Sequence, residues 1–359
     1  MKFGKTLQEL AMELDRQKKV KKDYLLDTRN LTMDADENGA LLTMYNQNDN
    51  SNILLGINEI AHDQIGQALG IPSAYYDKMR RENPALLTEN VNAWFNTDPK
   101  VRMVRALDGV ARAFLSDKYR RIDNYEIASI VLPIISELPD AKVESCEVTE
   151  QRMYLKVVNP RLQGEVVPGD VVQSGILITN SEVGLGSMTI QPLLYRLVCT
   201  NGMVVKDART RKYHSGSRNE LTDSFVMYEE DTLKAEDHAL ILKVRDTVKS
   251  VVDELRFNKL LDMMRGAKEA KLTSTNIPAM IEMAGPDFGY TKQEGEGILN
   301  HLIRGEDLSL YGFGNAITRF AQDVASYDRS TALEAIGYNV MTMPAKKWHA
   351  LNTAEYKVA

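Results

Sequence analysis

Two stretches of this chain concentrate cations in a way suited to holding a polyanion. The first, from Lys100 to Arg121, holds Lys100, Arg102, Arg105, Arg112, Lys118, Arg120 and Arg121 against Asp108 and Asp117. The second, KDARTRKYHSGSR, holds Lys206, Arg209, Arg211, Lys212 and Arg218 against Asp207. Rows of Arg and Lys neutralise phosphates, and an aromatic ring among them offers a face on which a base stacks. The expectation is therefore that Arg102, Arg105, Arg112, Lys118, Arg120 and Arg121 contact phosphates and that Tyr119 stacks. Lys206, Arg209, Arg211, Lys212 and Arg218, in a segment of small residues with Gly216, would close over the ligand as a loop. The bland alternative is a solvated sheet face laced with ion pairs, next to an ordinary exposed connection. The functional reading requires both stretches to fold onto a common face.

Other chemistries find less support. There is no GxxxxGK[ST] phosphate loop, and Gly184-Leu185-Gly186 lacks the third glycine and the strand-to-helix setting of a dinucleotide fingerprint. His62, His214, His238, His301 and His349 are scattered, without metal-ligand spacing. Cys199 would be a nucleophile only if a histidine approached it in the fold; a small buried residue is the simpler reading. No catalytic residue, metal ligand or cofactor is expected, although a nuclease built from dispersed carboxylates leaves little trace in a sequence. The segment HDQIGQALGIPSAYYDKMRR has the turn and apolar spacing of a helix-turn-helix, with Pro72 unusually placed directly after the turn. Glu229, Glu230, Asp231, Glu236 and Asp237 form an acidic patch suited to a basic protein partner.

The bulk numbers bound the setting. With 359 residues, 43% hydrophobic and 26% charged, the chain is an ordinary globular sequence, long enough for two packed units. A net charge of −6 argues against a uniformly basic surface but permits a local groove. Cys146 and Cys199 cannot build a disulfide framework, and no apolar run reaches membrane-spanning length, so a cytoplasmic protein without membrane contact is expected.

The elements that must position these groups read as α+β. Thr6 and Glu9 form a capping box ahead of Leu7, Leu10 and Leu14, and Thr28 to Ser51 reads as an extended or hairpin-like connection. Residues 57 to 95 read as helices. The period then changes: 101–106 and 110–115 are strands joined by Asp108-Gly109, a two-residue hairpin signal. A helix capped at Asp123 or Asn124 runs to about Leu138, and strands follow at 142–149, 153–158, 171–180 and 185–190. Pro192 is expected to open a short helix ending at Asn201-Gly202. An amphipathic helix with Leu240, Val244, Val248, Val251, Val252 and Leu255 on one face could pair with a second copy or pack within the chain. The division is thus a helical N-terminal segment 1–97, a central domain 98–218 with a mixed or antiparallel sheet, and a helical C-terminal region 219–359.

FLSDKYRRIDNYEI (Phe114–Ile127), LYRLVCTNGMVV (Leu194–Val205) and GNAITRFAQDVASYDRSTALEAIG (Gly314–Gly337) together resemble phage- and plasmid-like proteins classed as domain of unknown function nine-three-two. The resemblance runs from about residue 98 onward. It implies a mobile-element setting close to DNA replication or recombination and supplies no catalytic residues. Arg196 and Asn201, in the second stretch, could bond nucleic acid or cap the short helix. The strand-strand-helix-strand-strand order is also loosely similar to single-strand annealing recombinases, which bind DNA in a positive groove and assemble into rings or filaments. The resulting expectation is a single-stranded DNA binder, homo-oligomeric and without a nucleotide cofactor. An interaction or anti-defence protein and a metal-dependent nuclease are the alternatives.

Overall fold

The computed structural model describes residues 1–36, 39–46, 51–119, 121–205, 211–213 and 254–353, with a helical stretch at 239, 242–246 and 248. The chain begins with helix α1 (Leu7–Val20), opened by the Thr6–Glu9 capping box that its sequence announces. Four strands follow: β1 (Lys22–Asp27), β2 (Leu31–Asp36), β3 (Gly39–Asn46) and β4 (Ser51–Ile57). Three helices come next, α2 (Glu59–Ala68), α3 (Ser73–Glu82) and α4 (Pro84–Thr97), and then the hairpin β5 (Val101–Leu107) and β6 (Val110–Ser116). Asp108 and Gly109, with φ of 51° and 76°, make the predicted hairpin turn.

These six strands form one sheet in the order β1-β5-β6-β4-β3-β2, antiparallel except where β4 and β6 run parallel. The boundary expected at 97/98 is therefore corrected, because strands from both sides of it share a sheet. Leu31, Met33, Leu42, Val104 and Phe114 pack beneath the helices with Leu87, Val91 and Phe95 of α4. The N-terminal segment is thus only partly helical.

The second unit starts with α5 (Asn124–Glu137), preceded by an Asp123–Glu126 capping box. An antiparallel sheet follows, in the order β11-β10-β9-β8-β7. Its strands are β7 (Lys142–Val148), β8 (Met153–Glu165), β9 (Val171–Asn180), β10 (Met188–Arg196) and β11 (Asn201–Val204), with β12 (Arg211–Tyr213) also paired to β10. The short helix expected from Pro192 is absent, and β10 continues to Arg196 instead. Proline is tolerated there because β12 pairs with Met188–Ile190 and β11 with Leu193–Arg196, leaving Pro192 between its two partners.

Both faces of this sheet are covered. Met153, Leu155 and Val157 meet α1 and α5, and Val244 and Val248 join that cluster. Part of the apolar stripe considered for self-association is thereby buried within the chain. Tyr154, Val158 and Leu177 face the other way, toward Tyr327 and Ala335. The C-terminal region supplies α6 (Glu254–Glu269), α7 (Ile277–Phe288), α8 (Lys292–Gly305), α9 (Leu310–Phe320), α10 (Tyr327–Met341) and α11 (Ala345–Thr353). The fold is α+β, with helices layered on sheets.

Candidate nucleic-acid interface

Side chains alternate across the β5–β6 hairpin, so its cations divide between two faces. Arg105 points into the junction between the two units and has no exposed surface. Its Nε and Nη2 donate to the Asp23 carboxylate at 2.8 and 3.1 Å, Nη2 also to Asp123 at 2.7 Å, and Nη1 to the Glu182 carbonyl at 2.8 Å. Burial works against this charge, but the hydrogen bonds it donates to Asp23 and Asp123 outweigh it and hold the guanidinium above its ordinary pKa. Asp123 is likewise penalised by burial, yet Arg105 and Lys21 hold its carboxyl below the usual value.

Beside it, Arg112 donates to Glu182, whose other oxygen accepts the Asn124 backbone N–H. Arg121, half exposed, reaches Asp23 at 3.3 Å. The expectation that Arg105 and Arg112 contact phosphates is corrected: they are buried counter-ions of carboxylates brought in from β1, the start of α5 and the β9–β10 loop. Arg121 is drawn to the same acidic group. Tyr119 is no stacking platform either, since its ring packs against Ile60, Met103, Ala113, Leu115 and Val183 and its hydroxyl donates to the Ser181 carbonyl at 3.2 Å. Lys118 is exposed. Arg120 lies outside the described residues.

Of the second cationic stretch, Lys206, Arg209 and Arg218 lie outside the described residues. Arg211 and Lys212 belong to β12, at the edge of the second sheet, whereas Lys100 to Ser116 run through the first. The acidic patch at 229–237 also falls outside.

Arg196 and Asn201 serve the packing of the second unit. Arg196 grips Asp170 with Nε and Nη2 at 2.5 and 2.8 Å and touches Cys199 Sγ through Nη1 at 3.3 Å. Tyr311 donates its hydroxyl to the same Asp170 at 2.8 Å. Asn201 is buried and donates to Thr318, and Gln322 donates to the Cys199 carbonyl at 3.2 Å. The stretch Leu194–Val205 therefore docks on Gly314–Gly337, two of the three stretches that carry the resemblance. Neither residue caps a helix. Lys156 and Glu334 lie in the same region, wholly buried and paired at 2.6 Å.

The helix-turn-helix spacing does form two helices, α2 and α3, turned at Gly70 with φ of 69°. Gly66 lets the Tyr76 ring approach, since a Cβ there would stand 3.0 Å from it. The pair nonetheless carries Glu59, Asp63, Asp77 and Glu82 against Lys78, Arg80 and Arg81, and Arg80 is committed to Glu59. That charge does not suit a duplex backbone. Among the described residues no group of three or more His, Cys, Asp or Glu is placed to hold a metal ion, and no helix is long and apolar enough to cross a membrane.

Within the first basic stretch a basic-aromatic site remains, whose ring Trp94 was missed in the sequence. Arg102 lies on the helical side of the hairpin, its guanidinium 5.8 Å from the Phe114 ring. With Lys100, Trp94, Thr28, Asp98 and Phe114 it lines a cleft of about 110 Å³. Thr28 fixes the floor: its hydroxyl donates to the Phe95 carbonyl at 2.9 Å and accepts the Lys100 N–H at 3.1 Å. Lys100 pairs with Asp98 at 2.7 Å while both stay exposed, a contact that water and salt weaken readily. Ser116, the cross-strand partner of Arg102, leads to exposed Lys118. Helix α4 signals Trp94: Leu87, Val91 and Phe95 already fill its inner face, yet a large ring stands 45% exposed beside them.

No curated protein and no solved structure matches this chain. Residues 113–225, from β6 through β12, match the family model described as domain of unknown function (DUF932).

Proposed function

We propose that the chain binds single-stranded nucleic acid, DNA in the mobile-element setting that the resemblance implies, through the cleft at the end of α4 and the start of β5. The observation that carries this reading is the half-exposed Trp94 beside Lys100 and Arg102, a stacking ring flanked by cations. The site is small and open, which suits one or two unstacked bases with their phosphates rather than a duplex groove. Arg105, Arg112, Tyr119, Arg196 and Asn201 play no direct part in it.

Tryptophan fluorescence tests the proposal, because Trp348 is only 8% exposed and Trp94 is the ring a strand would quench. A thymidine oligonucleotide should quench emission at low salt. With Lys100, Arg102 and Lys118 engaged, the log–log salt slope should be about −2. Trp94→Ala should cost about 1–3 kcal/mol of binding. Absence of quenching at low salt, or equal affinity of the Lys100→Ala/Arg102→Ala variant, would sink the reading. An oligonucleotide shortened on addition of magnesium or manganese would instead support the nuclease alternative.

A further inference from the structure

The cleft at Trp94 carries one group that a plain phosphate site would not. Among the described residues lining it, Asp98 is the only carboxylate, and its side chain stands 64% exposed beside Lys100. A negative charge next to a polyanion is repulsive unless its oxygens accept hydrogen bonds from that ligand.

The neutral polar groups around it are engaged elsewhere. The Thr28 hydroxyl is spent between the Phe95 carbonyl and the Lys100 N–H. The Thr28 N–H donates to the Lys100 carbonyl at 3.0 Å, and the Asp98 N–H to the Trp94 carbonyl at 3.1 Å. Ala68, Leu69 and Phe114 add apolar surface. A base lying on the indole would therefore be read at its edge by the Asp98 acceptor and the cationic donors Lys100 and Arg102. Asp98 and Lys100 hold each other at 2.7 Å, so acceptor and donor stand side by side.

The Watson–Crick edges of the bases, open in a single strand, differ in what they offer such a pair. Guanine presents two adjacent donors, N1–H and the N2 amino group, followed by the O6 acceptor. A carboxylate takes both donors at once while the neighbouring ammonium takes O6. Adenine and cytosine offer one amino group flanked by a ring-nitrogen acceptor, which would face the second carboxylate oxygen. Thymine sets its single N3–H between two carbonyl oxygens, both repelled by the carboxylate.

Resting on the reading of Trp94 as a stacking ring, we propose that the cleft selects guanine. The base stacks on Trp94, Asp98 accepts from N1–H and the N2 amino group, and Lys100 donates to O6, which leaves Arg102 to a phosphate.

Quenching titrations of the full chain at low salt test it with three pentamers: thymidine throughout, and thymidine with a central guanine or a central adenine. The guanine pentamer should bind at least about fivefold more tightly than the other two, the discrimination of a bidentate base contact. In Asp98→Ala, which breaks only an exposed ion pair and should melt with the wild type, that ratio should fall to about one. The isosteric Asp98→Asn repeats the comparison should the alanine variant unfold. Thymidine binding without a guanine preference overturns the selectivity and leaves the Trp94 site standing. A preference that survives in the folded alanine variant overturns it too, as does loss of all three pentamers there, because Asp98 is assigned to the base edge and not to the strand. If no pentamer quenches the wild type, the Trp94 site falls and the selectivity with it.

Discussion

Replacing Arg105 by alanine removes the centre of the junction between the two units. The guanidinium makes four hydrogen bonds, three of them to the carboxylates of Asp23 and Asp123, and is shielded from water. Removing one partner of such a group leaves buried like charges facing each other and costs about 3–5 kcal/mol. At about 2 °C for each kcal/mol in a chain of this size, the melting temperature should fall by about 6–10 °C. Arg105→Lys keeps the charge but loses the fork and should fall between. Acid should act on the same cluster. Asp123 has a depressed folded pKa, so its stabilisation is complete above its ordinary value of 3.8 and is lost as pH falls through the lower folded value. Arg105, raised instead, loses its contribution only in strong alkali. Chemical denaturation of wild type and variants between neutral pH and about pH 3 measures both effects. A loss below about 1 kcal/mol for Arg105→Ala would refute the reasoning, because a hydrated pair is worth no more than that. The same calculation warns against reading Arg105→Glu as a phosphate-contact mutant, since any loss of oligonucleotide would report damage to the fold.

Lys156→Met should cost about 3–5 kcal/mol by stranding the buried Glu334, whereas Lys156→Met/Glu334→Leu should recover most of that in the same denaturation assay. Gly314→Ala would place a Cβ 2.4 Å from Met341 and 2.9 Å from the Gly337 carbonyl, so the α9–α10 contact should lose about 1–3 kcal/mol, read as a lower melting temperature. Tyr119→Phe should lose about 1 kcal/mol with its bond to Ser181 and leave oligonucleotide affinity unchanged; a drop in affinity would return Tyr119 to the interface.

Local signals were legible wherever the physics is local. The Thr6 capping box, the Asp108-Gly109 hairpin, the start of α5 and strands β7, β8 and β9 of the second sheet follow from spacing within a few residues. One element failed for a local reason: Pro192 reads as a helix start, yet it occupies a gap between two partner strands. The run Thr28 to Ser51, read as extended or hairpin-like, does hold the β2–β3 hairpin. The site failed for a different reason. Whether a cation is solvated or spent depends on carboxylates distant in sequence: Asp23 lies 82 positions from Arg105, and Glu182 lies 70 from Arg112. No window along the chain contains both members of either pair. Arg102, three residues before Arg105 and on the opposite face, was spared for the same geometric reason.

The family match opens inside β6, whose neighbours β5 and β4 lie upstream of it. A fragment trimmed to 113–225 would keep Asp123 and Glu182 but discard Arg105 and Arg112, and would carry a hydrophobic strand stripped of both companions. Such a strand is a template for aggregation. The stretch that the family model matches is therefore shorter than the stretch that must be synthesised for it to stand alone, and expression of residues 113–225 by themselves should yield insoluble protein.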